Sequence, residues 1–172
     1  MPLHWLTEDE DRYKLWFSVS RSIRYHNYRR RFYGTLDSCL TFFILLAGSA
    51  NFALAVNQAV APWILGVFIT VFASIKLAFQ ISTKATLHTD LYRRFIQLEK
   101  RLYAQSRNTE VLYEERLSIE SDEPSTYQAL NRICHNEVLR TEDRFELFEP
   151  LRLHHRLLCN FLPFTHLPKK PV

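Results

Sequence analysis

The chain has 172 residues, 47% of them hydrophobic and 23% charged, proportions that allow one domain of ordinary size and exclude a disordered, collagenous or disulfide-rich protein. Its 22 basic residues exceed the 18 acidic ones by four, which would be weak evidence for a polyanionic partner if the charges were evenly spread. They are not: residues 38–75 are 38 consecutive positions without Asp, Glu, Lys, Arg or His. That asymmetry predicts an all-α membrane protein, a two-transmembrane helical hairpin with long cytoplasmic helical extensions and a C-terminal helical bundle.

Residues 1–35 read as an N-terminal cytoplasmic amphipathic helix. The stretch 8–32 has no glycine or proline, opens with Glu8-Asp9-Glu10-Asp11 and ends in Arg29-Arg30-Arg31, so acids precede bases as a helix dipole favours. Trp16, Phe17, Tyr25, Tyr28, Phe32 and Tyr33 interleave with the bases as in an interfacial belt, where anionic lipid contributes roughly 1 kcal/mol per basic residue. Aromatics among arginines also suit nucleic acid or a nucleotide phosphate. Beside a membrane, no nucleic-acid partner is expected.

The apolar run spans about 57 Å as helix, close to two crossings of a hydrocarbon core about 30 Å thick. Asn57, Gln58 and Pro62 interrupt it, so the hairpin occupies 36–81 with helices at 36–56 and 61–81, Pro62 in the first turn of the second. The soluble alternative is a buried core hairpin; a signal peptide is a poor fit to the position and length of the run. Arg21, Arg24, Arg29, Arg30 and Arg31 precede the first helix, Lys76, Lys84, Arg93 and Arg94 accompany or follow the second, and the turn is uncharged. The positive-inside rule then places both termini in the cytoplasm and the protein in the plasma membrane as a multi-pass chain.

Gly66, Thr70, Ser74 and Ala78 recur every four residues, with Ser49 and Ala53 at the same spacing on the first helix and Gly48 and Asn51 beside them. Small stripes let helix backbones approach closely in lipid. One reading pairs the two helices of one chain; the other uses the stripe for subunit packing or a pore wall. Asn51 needs a partner for its amide, from the second helix, a neighbouring subunit or a watery lumen. Lys76 is read as an anchor that snorkels to the interface.

Residues 82–160 form the cytoplasmic helical region. The second helix is expected to continue as a stalk, since Leu87, Leu91, Phe95, Leu98 and Leu102 keep helical spacing and can pack on the N-terminal helix. A loop at 104–109, a helix at 110–121 and a helix opened by Asp122-Glu123-Pro124 follow, the last burying Tyr127, Leu130, Cys134 and Val138. A final helix is predicted at 142–158, carrying Phe145, Phe148, Leu151 and Leu158, before a proline-broken tail at 161–172.

Catalytic chemistry is not evident. Cys39, Cys134 and Cys159 form no metal-spaced pair, and Cys134-His135-Asn136-Glu137 points its side chains to different sides of a helix. His154-His155 is unspecific, and three glycines cannot build a phosphate loop. The chain is therefore read as no enzyme, with no cofactor and no metal site.

The decapeptide Arg24-Tyr25-His26-Asn27-Tyr28-Arg29-Arg30-Arg31-Phe32-Tyr33 ahead of a membrane hairpin, then Glu115-Arg116-Leu117-Ser118-Ile119-Glu120 with Glu123-Pro124, then Leu130 and Cys134-His135-Asn136-Glu137, resembles the SLATT domain family (SMODS and SLOG-associating two-transmembrane effector domain). The resemblance covers about residues 20–158. It implies a bacterial effector found beside nucleotide-signal synthases, SLOG-type sensors and reverse transcriptases, serving antiphage or inter-bacterial conflict. Its hairpin would oligomerise and permeabilise the host membrane once a signal is sensed. Expected partners are the lipid bilayer, further copies of the chain, and a nucleotide signal or sensor protein.

On this reading Asn51, Gly66, Thr70 and Ser74 serve pore or subunit packing. Arg24, Arg29, Arg30 and Arg31 are interfacial, or latch against Glu120, Asp122 and Glu123; the alternative for these charges is independent solvated faces. The rival classes are a non-conducting membrane scaffold that recruits a cytoplasmic partner and a nucleotide-sensing membrane anchor.

Overall fold

Glycine at 34 and 48 weakens a helix by about 1 kcal/mol per residue but does not stop it as proline does. Accordingly, in the computed structural model the first helix, α1, runs unbroken over Glu10–Val56. The expected division between an N-terminal helix ending at Phe32 and a membrane helix starting at Leu36 is thus absent. The structure describes residues 10–56, 62–104, 108–164 and 167, excepting the side chains of 51–56 and 62. Of the predicted six-residue turn at 57–62, residues 57–61 lie outside the described residues, as does most of the tail.

After α1 come α2 at Pro62–Ala78, α3 at Ile81–Tyr103, α4 at Thr109–Glu120, α5 at Gln128–Thr141, a 3-10 turn at Phe145–Leu147 and α6 at Leu153–Leu158. All regular secondary structure among the described residues is helical. Two helical stretches, Glu10–Ala50 and Trp63–Tyr103, are long and apolar enough to cross a membrane, with mean hydropathies of 1.3 and 2.0 in their most apolar windows. The chain divides into two compact units, residues 29–88 and residues 1–28 with 89–172.

In the larger unit, Leu91, Phe95, Leu98 and Leu102 of α3 are fully buried at helical spacing. Also buried in this unit are Leu15, Trp16 and Val19 of α1, Leu112 and Ile119 of α4 and Val138 of α5, while Tyr25, Ala129, Leu130, Cys134 and Cys159 form a buried cluster of their own. The predicted stripe and its packing on the N-terminal helix are therefore present. The ring of His26 stacks on Phe95 at 5.5 Å, Trp16 Nε1 donates to Tyr103 at 3.0 Å and Ser20 donates to Glu99 at 3.0 Å. Arg12 caps a last-turn carbonyl of α3, that of Leu102, at 2.8 Å. Trp16 and Tyr25 are thus core residues here and Tyr33 is buried in the smaller unit, which corrects the interfacial-belt reading for these three.

Two predicted boundaries also move. Asp122-Glu123-Pro124 does not open a helix: the backbone from 123 to 127 is irregular and α5 starts at Gln128, because Glu123 is drawn to His26 instead of capping. The helix expected at 142–158 is broken. Asp143 adopts φ 58° and Pro150 supplies no N–H. Asn136 holds the intervening loop with reciprocal bonds to the Glu149 backbone, 2.7 Å to its carbonyl and 2.9 Å from its N–H.

In the smaller unit, Tyr33, Leu40 and Ile81 are buried with Phe32, Leu36, Phe72 and Ala85 against them. Most other apolar side chains face outward, Phe42 at 60% exposure, Leu45 at 65% and Trp63 at 71%. Only 11% and 6% of the two apolar windows is buried. A hairpin buried as a soluble core does not fit these exposures.

Candidate functional site

The small stripe of α2 looks away from its own chain. Thr70 and Ser74 are exposed, and a Cβ built at Gly66 meets no heavy atom within 4 Å. Pairing of this stripe with α1 of the same chain is therefore not what the structure contains. Thr70 donates its hydroxyl to the Gly66 carbonyl at 2.9 Å, and exposed Ser49 on α1 does the same to Leu45 at 2.9 Å. Each hydroxyl is satisfied within its own helix, leaving a small, polar-silent surface suited to close packing in lipid. Asn51 lies in α1, but its side chain is outside the described residues.

A polar cluster marks the other end of the hairpin. Asp37 Oδ1 lies 3.1 Å from Lys76 Nζ and accepts a 2.5 Å hydrogen bond from Ser82. Lys76 also donates to Thr41 at 2.7 Å, and Thr41 donates to the Asp37 carbonyl at 2.8 Å. The expected stalk is interrupted between these contacts: α2 ends at Ala78, and Gln80 adopts φ 49° before α3 begins. The carboxylate of Asp37 thus holds one residue before the break and one after it. Lys76, expected to snorkel to the interface, thus has Asp37 and Thr41 as its partners. A cavity of about 310 Å³ opens at the break, walled by Ile44, Ala73 and Leu77 and by Gln80, Ser82 and Thr83.

Asp37 and Ser82 were not singled out by sequence reasoning, although Asp37 is the sole acid between residues 12 and 89. A lone carboxylate at one end of an apolar run, with a lone lysine at the other, is the signal that pairs them in a hairpin.

Among the interfacial and latch candidates, Arg24, Arg29, Glu120, Asp122 and Glu123 have partners inside their own units. Arg29 is buried, donates to Tyr33 at 2.6 Å and lies 4.7 Å over its ring, while Tyr33 stacks on His88 at 5.7 Å. Arg30 is half-buried and Arg31 exposed. Arg24 donates to the Ser20 carbonyl one turn back. Among the acids, Glu120 takes Arg116 at 2.6 Å, Asp122 takes Arg94 at 2.6 Å and Glu123 takes buried His26 at 3.0 Å.

Cys134 is buried, and that burial pushes its thiol far above the ordinary range, so it is poorly suited to nucleophilic work. Its neighbour Glu137 instead accepts a 2.5 Å hydrogen bond from Tyr28. Among the described residues no group of three or more His, Cys, Asp or Glu side chains is placed to hold a metal ion. No protein-family model, no curated protein and no solved structure matches the chain.

Proposed function

We propose that this chain is a two-transmembrane effector of a bacterial antiphage or conflict system. It inserts in the inner membrane with both termini cytoplasmic, oligomerises through the hairpin and permeabilises the host membrane on sensing a signal. The observation that carries this reading is the stripe of Gly66, Thr70 and Ser74, in which Thr70 and Ser74 are exposed and a Cβ at Gly66 has open space among the described residues, a surface that suits a second helix. Two membrane helices from one chain cannot enclose an aqueous channel, so conduction needs self-association. The exposed apolar belt supports insertion, since monomeric soluble proteins rarely leave so large a contiguous apolar surface in water. The class of conflict system rests on the SLATT-like residues.

The test is membrane potential, read with a voltage-sensitive dye in bacteria after induced expression. Because a Cβ at position 66 has open space around it, Gly66→Leu leaves the protomer folded and inserted while blocking close approach of a neighbour. Depolarisation by the parent and its loss in Gly66→Leu are expected. An inserted Gly66→Leu variant that depolarises fully removes α2 packing from the mechanism.

A second reading, the non-conducting scaffold, is favoured by one feature of the larger unit. Leu153, Leu157, Phe161 and Leu162 at its C-terminal end are exposed as a surface for a cytoplasmic protein would be. Crosslinking separates the two: a pore is captured with itself, a scaffold with a different protein.

A further inference from the structure

Buried charges are ordinarily paired or hydrogen-bonded, whereas a part-buried one that water still reaches can take a further anionic partner. Arg21 on α1 is of the second kind. It is half-buried, and no hydrogen bond or ion pair joins its guanidinium to a described residue. The acids in its surroundings are committed elsewhere: Glu120 to Arg116 at 2.6 Å, Glu123 to His26 at 3.0 Å, and Glu149 to Arg132 at 2.6 Å. Burial and the charge of Arg116 both disfavour the cation, opposed by Glu120 and Glu123 at longer range.

This guanidinium lines a cavity of about 270 Å³ in the larger unit, together with Arg132, His135, Gln128, Asn131 and the carboxylate of Glu149, whose charge Arg132 offsets at 2.6 Å. Burial holds the His135 imidazole below its usual pKa, so at neutral pH it is uncharged and offers one donor and one acceptor. Phe17 packs edge-on against its ring at 5.1 Å. Gln128 and Asn131 bring amides, α5 carries four of these side chains, and α1 presents Arg21 to them.

We propose that this cavity binds a small soluble phosphate-bearing molecule, with Arg21 as the principal donor to the anion. A planar guanidinium fork matches phosphate oxygens, and a second cation, Arg132, is already oriented by Glu149. The volume falls just below the usual range for ligand pockets, about 300–1,000 Å³, and so suits only a small ligand. Leu167 is the apolar member of the lining, so a lipid acyl chain finds no wall here, and the amides suit a hydrogen-bonding body instead. The site does not depend on whether the hairpin conducts.

The experiment uses the full chain in detergent free of anionic lipid, with inorganic phosphate as the probe at constant ionic strength and the thermal midpoint as readout. A ligand that binds only the folded state raises the midpoint in a saturable way. That rise is expected for the parent and for Lys100→Gln, whose side chain is exposed outside this cavity. Arg21→Gln should weaken apparent affinity at least tenfold. Without phosphate, Arg21→Met should melt at or above the parent's midpoint, since it removes an unpartnered, partly desolvated cation. It also serves as a folded variant for the same titration. No saturable rise in the parent, equal affinity in the Arg21 variants, or a large fall in the Arg21→Met midpoint would each overturn the proposal. Glycerol 3-phosphate should act at least as well as inorganic phosphate; a response confined to phosphatidylglycerol in nanodiscs would overturn the soluble ligand.

Discussion

Leu15 and Leu45 belong to the same helix, yet one is 1% exposed and the other 65%. In the larger unit, α1 turns Leu15, Val19 and Tyr25 to a core and finds partners there for Trp16, Ser20 and His26. In the smaller unit the same helix offers Phe42, Phe43, Leu45 and Leu46 to its surroundings, and its polar contacts to other helices include the cluster around Asp37. One region is built against water and buries what is apolar. The other leaves its apolar side chains exposed, which in the proposed bilayer would carry no penalty, so that its polar atoms would be the ones to cover.

The largest expected effect lies in the first region. Phe95→Ala removes a fully buried ring from the core and should destabilise the chain by about 3–5 kcal/mol. Phe42→Ala in detergent should change stability several-fold less. Denaturant unfolding of the two variants checks this, and equal losses would dissolve the contrast.

Val67→Asp sharpens it from the other side. Val67 is exposed, so in a soluble protein the change would be nearly silent, whereas an aspartate near the middle of a membrane helix costs about 2.5–3.5 kcal/mol to insert. Fractionation of membranes after expression reads the outcome. Undiminished insertion would argue that α2 does not cross lipid.

A smaller effect belongs to the helix break. Gln80 holds a left-handed conformation that glycine adopts without a Cβ penalty, so Gln80→Gly should stabilise the chain by about 0.5–1 kcal/mol in thermal unfolding. A loss of stability would mean that the glutamine side chain contributes more than its backbone strain removes.

The smallest is alkaline. The hydrogen bond to Glu137, followed by burial, pushes the Tyr28 hydroxyl up to about 12 from its ordinary 10. The unfolded chain releases this proton first. The stabilisation from Tyr28 therefore holds up to about pH 10 and is lost as pH rises toward 12. Tyr28→Phe should flatten that limb of a stability–pH profile.

The sequence makes some of these elements readable because the signal is local. The stripe from Leu91 to Leu102 declares itself by spacing, and the charge-free run at 38–75 declares the two long apolar helices. What it conceals is decided by partners distant in the chain. Nothing near Gln80 announces a break, since neither glycine nor proline occurs there; the flanking Lys76 and Ser82 are held by Asp37 from another helix. Glu123 resembles part of an acidic cap until His26 takes its carboxylate. In residues 142–158 the local warning was present in Pro150, but the apolar spacing around it outweighed it. For the small stripe, the composition of Gly66, Thr70 and Ser74 was legible while its direction was not, because facing inward or outward is a property of packing.

The break at Gln80 also fixes a length. With α2 closing at Ala78, the helix has 17 residues, about 26 Å at the usual rise, against roughly 30 Å of hydrocarbon. In the proposed membrane setting, a span this short would meet the bilayer with a hydrophobic mismatch of several ångströms. Lipid relieves such a deficit by thinning around the helix, or neighbouring helices relieve it by sharing the thinned annulus. Bilayer thickness then becomes a variable that sets how strongly copies of the hairpin gather, and lipids with longer acyl chains should drive them together.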